Sequence, residues 1–140
     1  MTMTASAKPW LEPLHRIAAL EYALIEACHA DADGAWEVEQ ARLAARAGAA
    51  QVHLFDLGTA LRDLGEDSIS YARCMRLALT MSGSHREILE RLAREYTRLL
   101  AQEGLPDGLR GILRANLAEQ RGLDAIGATL TSTRLEEAAA

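Results

Sequence analysis

Gly65-Glu66-Asp67-Ser68-Ile69-Ser70-Tyr71-Ala72-Arg73-Cys74-Met75-Arg76-Leu77-Ala78-Leu79-Thr80-Met81-Ser82-Gly83 separates two pairs of long helical patterns, and its length decides how they are arranged. A connection of roughly 20 residues reaches along the ~30 Å of a 20-residue helix, so the segment after it can run parallel to the segment before it. An up-and-down arrangement would join neighbours with about 2–8 residues. Asp67 and Ser68 can cap a short helix over residues 69–80, which Ser82-Gly83 ends. The predicted fold is all-α: a four-helix bundle of two antiparallel helical hairpins, joined by a long crossover that contains a short helix.

Outward from this connection, the punctuation sets the helices. The first runs from Pro13 to Ala30 and closes at Asp31-Ala32-Asp33-Gly34; the second runs from Ala35 to Leu64, with Gly65 in the position that needs a left-handed backbone. Ser84-x-x-Glu87 is a capping box opening the third, which reaches Gln102 before Gly104. Pro106 and Asp107 start the last, which extends to Leu130. Both pairs are joined by tight turns, as hairpins require. Residues 1–12 read as an N-terminal extension, 13–130 as the bundle and 131–140 as a polar, flexible tail.

Composition agrees. Of 140 residues, 27 are Ala, 22 Leu and only two Val, with 4% aromatic, which favours helix and starves a sheet. A net charge of −5, with Arg scattered along the helices, argues against a nucleic-acid partner, which needs clustered basic charge to displace counterions. No apolar run suits a membrane span and residues 1–8 lack a signal-peptide core, so the expected location is cytoplasmic. Cys28 and Cys74 are isolated and read as buried thiols. Ala-rich helices leave narrow apolar faces, which suit a homodimer or other homo-oligomer.

The seams carry unexpected carboxylates. Heptad spacing gives Trp10, Leu14, Ile17, Glu21, Leu24 and Cys28 on the first helix, and Leu109, Ile112, Asn116, Glu119, Leu123, Ile126 and Leu130 on the last. On the third, Ile88, Leu92, Glu95 and Leu99 compete with Leu89, Ala93, Tyr96 and Leu100. The second helix places Leu43, Ala47, Ala50, Leu54, Leu57, Leu61 and Leu64 on its seam, with His53 at the edge. A buried carboxylate must meet a cation, be protonated or lean into water.

Leu20-Glu21-Tyr22, Arg94-Glu95-Tyr96, Gln51-Val52-His53, Glu119-Gln120-Arg121 and Leu105-Pro106-Asp107-Gly108-Leu109-Arg110 together resemble the ferritin-like superfamily over most of the chain. In that superfamily helices one and three each supply a Glu, and helices two and four each supply Glu-x-x-His, around two iron or manganese ions. The resemblance implies Glu21, His53, Glu95 and Glu119 as the metal-ligating set. Ala50 stands where the second helix needs its carboxylate and Gly122 where the fourth needs its imidazole. Three carboxylates and one His leave an ion pair under-coordinated. The expectation is a ferritin-like bundle with a degenerate centre and no cofactor, acting as a non-catalytic, stress-associated interaction or structural protein. The alternative is a protein that stores, senses or oxidises iron or manganese, with a single-metal site of Glu21, His53 and Glu119; as an enzyme it would be a di-iron oxidase or peroxidase.

Other signals fall away. Asp31-x-Asp33-Gly34 lacks the spacing of a calcium loop, and there is no glycine-rich phosphate loop. His15, His29 and His85 read as solvated, Trp10 and Trp36 as packing anchors, Met75 and Met81 as gap fillers, and Gly48 and Gly58 as sites of close helix approach, within the chain or across a subunit interface.

Overall fold

A computed structural model describes residues 8–66, 76–78, 80–81 and 83–139, with side chains up to residue 124. Its regular structure is entirely helical: α1 (Leu11–Ala32), α2 (Glu37–Asp63), α3 (His85–Leu100) and α4 (Asp107–Ala139). Most of the connecting helix expected over 69–80, Cys74 and Met75 among it, lies outside the described residues, as do the side chains of Ile126 and Leu130.

The helices end where backbone chemistry tells them to. Gly65 takes φ 77° after α2; its N–H donates to Arg62 O and the Glu66 N–H to Leu61 O, the paired bonds that satisfy the last carbonyls of a helix. Ser84 and Glu87 form the expected capping box at the start of α3. Between α3 and α4, Gly104 takes φ 79°, and Arg110 donates to Leu100 O at 2.7 Å and Gln102 O at 3.0 Å, tying the base of α4 to the end of α3.

Two boundaries differ from the sequence reading. Helix α1 begins at Leu11, inside the expected extension, because Trp10 is buried and anchors the chain there. Helix α4 continues to Ala139 through the expected tail, since Leu135, Glu136, Glu137 and Ala138 are good helix formers with no Gly or Pro to stop them.

Helix α1 packs against α2 and α3, and α4 packs against the same two, so α1 lies across the core from α4 and α2 across from α3. Burial follows these contacts. On α1 the expected seam of Leu14, Ile17, Glu21, Leu24 and Cys28 is buried, widened by Ala18, Leu20 and Ile25 because two helices flank it. Helix α3 buries Ile88, Leu92, Tyr96 and Leu99, so the phenol rather than Glu95 takes the inward position. On α4 the buried face is Leu109, Leu113, Asn116, Leu117 and Gln120, rotated from the expected seam so that Glu119 sits at its edge. Leu113 and Leu117 outweigh Ile112 and Leu123, which are half-buried.

Two further expectations are corrected. Trp36 is 66% exposed at the N-cap of α2 rather than packed as a core anchor. His85 is held by Asp31, 2.5 Å from its Nδ1, rather than simply solvated. No helix among the described residues is long and apolar enough to cross a membrane.

Candidate functional site

Three helices deliver the polar centre. Leu43, Ala47, Ala50, Leu57 and Leu61 turn one face of α2 inward, and His53 lies on that face, buried to 2% exposure rather than at its edge. Glu21 arrives from α1 between Ile17 and Leu24 and is wholly buried. Glu119 reaches in from the rim of α4 with its side chain 53% exposed.

The imidazole is held on both edges. His53 Nδ1 is 2.8 Å from Glu21 Oε2, and Nε2 is 2.7 Å from Glu119 Oε1. A neutral ring has one N–H and would present a lone pair to one of the two carboxylates; an imidazolium donates to both. Burial alone pulls the pKa of His53 down, but the hydrogen bond and charge of Glu21, followed by those of Glu119, outweigh it and raise the value above 6.5. Protonated, His53 is the cation that makes the burial of Glu21 tolerable.

Glu21 also receives its neutral partners. Tyr96 Oη donates to Glu21 Oε2 at 2.7 Å, Asn116 Nδ2 donates to the Tyr96 oxygen at 3.1 Å, and Gln120 Nε2 lies 3.3 and 3.4 Å from the two carboxylate oxygens. Burial, and then the charge of Glu21, push the Tyr96 pKa well above 10, so the phenol stays a donor. Nearby on the same helix face, buried Arg46 reaches Asp124 Oδ1 at 2.5 Å.

Of the four residues expected to ligate metal, Glu21, His53 and Glu119 come together. Glu95 takes other partners, with Arg98 Nη1 3.4 Å and Arg16 Nη2 3.7 Å from its carboxylate oxygens. The three that meet do not fit a shared ion. The two ring nitrogens direct their bonding away from each other, so the carboxylate on one edge cannot reach an ion on the other, and each nitrogen already has a hydrogen-bonding partner. Among the described residues no group of three or more His, Cys, Asp and Glu side chains is placed to hold a metal ion. Ala50 is buried, but Gly122 is exposed on the side of α4 away from Gln120.

Sequence reasoning missed the roles of Gln120, Tyr96 and Asn116, and missed Arg46 altogether. The signal for Gln120 was the Leu109, Leu113, Leu117 stripe, which carries it inward one helical turn after Asn116. Arg46 sits seven residues before His53 and so shares its face. No family model, no curated protein and no solved structure matches this chain.

Proposed function

We propose that the chain is a ferritin-like four-helix bundle, with α1 and α2, and α3 and α4, paired as antiparallel hairpins about the 65–83 crossover. In it, a hydrogen-bonded carboxylate–imidazolium–carboxylate core takes the place of the metal pair, and the protein works by association rather than by turnover. The observation that carries this reading is the occupation of both ring nitrogens of His53 by Glu21 and Glu119. The packing of α1 and α4 on the same two helices supports the bundle. Tyr96 and Gln120 support the metal-free centre, because they supply Glu21 with hydrogen-bond donors that it would otherwise take from an ion or from water.

The test is metal content by mass spectrometry after expression with iron and manganese supplied. The purified chain is expected to carry no stoichiometric metal. A stoichiometric ion that disappears in Glu21→Ala and Glu119→Ala would overturn the reading in favour of an iron- or manganese-handling protein. Ala50→Glu combined with Gly122→His restores the superfamily wording, although residue 122 lies on the exposed side of α4; acquisition of two ions by this variant would support the ferritin-like scaffold with a centre that the natural chain has given up.

A further inference from the structure

Outward helix faces usually carry charge, and α2 does the reverse. The exposed large hydrophobic side chains among the described residues, Trp36, Val38, Val52 and Phe55, all lie on α2 or at its N-cap. At about 100° per residue, Ala41, Ala44, Gly48, Val52, Phe55 and Thr59 share one side, opposite the buried Ala50, His53 and Leu57. No charged residue interrupts that line, and charges stand only at its ends, with Glu37 before it and Arg62 after it. Gly48 weakens the helix relative to alanine while easing no contact among the described residues, because a Cβ there would meet none of them within 4 Å. The notch and the protruding Phe55 ring, 69% exposed, make sense together when a second surface covers both.

The pattern is complementary to itself. Phe55 and Gly48 stand at equal distances on either side of the Gln51–Val52 peptide, as do Thr59 and Ala44. When a second α2 crosses antiparallel at that point, each ring falls on the other copy's glycine, and each Arg62 comes about one turn from the other copy's Glu37. A parallel crossing would instead set ring on ring, Arg62 on Arg62 and Glu37 on Glu37. We propose that this face is the interface of an antiparallel homodimer, α2 on α2 about a two-fold axis at Gln51–Val52. This rests on the association reading above and names the partner as a second copy of the chain.

From Glu37 to Arg62 the face is roughly 38 Å long and one helix wide, which places the contact at the small end of specific interfaces. Contacts of that size include weak complexes, so association is sought at dissociation constants on the order of micromolar. Sedimentation equilibrium from about 1 to 200 μM brackets that value. The wild-type chain is expected to pass from monomer to dimer across the range. Phe55→Glu and Gly48→Leu, both exposed positions, should raise the dissociation constant at least about tenfold with the helical circular dichroism unchanged. Arg62→Glu and Glu37→Arg should each weaken the dimer several-fold, and the two together should restore it. A chain monomeric throughout, or a dimer indifferent to Phe55→Glu and Gly48→Leu, overturns the proposal; failure of the charge swap to restore association overturns the antiparallel register. A metal-free monomer defeats the dimer and leaves the sealed core standing, whereas a metal-loaded dimer does the opposite.

Discussion

His53 and Phe55 are two residues apart on α2 and face opposite ways, and each is in the surroundings the other would be expected to have. The ionisable ring is 2% exposed and the phenyl ring 69% exposed. The inner position is tolerable because Glu21, Glu119, Tyr96 and Gln120 complete a hydrogen-bonded set around the charge. The outer position has no such set among the described residues, and its apolar area faces water. Burial of one helix face is thus settled by the availability of partners as much as by hydropathy.

The largest expected break in this comparison is His53→Ala. It leaves Glu21 buried without its cation, and chemical denaturation should register a loss of about 3–5 kcal/mol. Glu21→Leu with His53→Leu removes both charges at once; recovery of most of that loss would show that the pair serves specificity more than stability. A double variant as unstable as the single would contradict this account.

The same contact makes stability depend on pH. The folded pKa of His53 lies above its ordinary 6.5, so the folded state holds the proton more tightly than the unfolded chain. The stabilising contribution is fully present below 6.5 and is lost as pH rises through the folded value. Urea midpoints of wild type, taken relative to His53→Gln to cancel other groups, should fall as pH rises from 6.5 through the folded value. A flat difference would mean that the ring is neutral in the folded protein. At the C-terminal end of α1, Asp31 is held below 3.8 chiefly by its hydrogen bond from His85, so that tether is present above 3.8 and lost as pH falls through the lowered value.

Smaller effects sharpen the outer side of the comparison. In solution dilute enough to hold monomers, Gly48→Ala should stabilise the chain by about 1 kcal/mol, because the added methyl meets open space and helix propensity improves. A destabilised variant would place a neighbour where none is seen. Glu119→Ala should cost under about 1 kcal/mol, since that carboxylate is half in water and its attraction is screened. Phe55→Ser should change monomer stability by less than about 0.5 kcal/mol. Thermal or urea unfolding below micromolar concentration measures all three.

The sequence by itself determined the helical class, the capping of α2 at Gly65 and of α3 at Ser84, the buried line from Leu14 to Cys28, and the presence of an inward acid at Glu21. These follow from local rules: helix propensity, the left-handed freedom of glycine, side chains that bond neighbouring backbone, and a period of 3.6. Only the tertiary structure decided that Tyr96 rather than Glu95 faces inward, that α4 is rotated to bring in Gln120 and leave Gly122 outside, and that His53 is clasped on both edges. Each of those outcomes is a choice between adjacent stripes of nearly equal hydropathy. Such a choice depends on what the facing helices present across the core, through contacts between residues far apart in the chain that no local window contains.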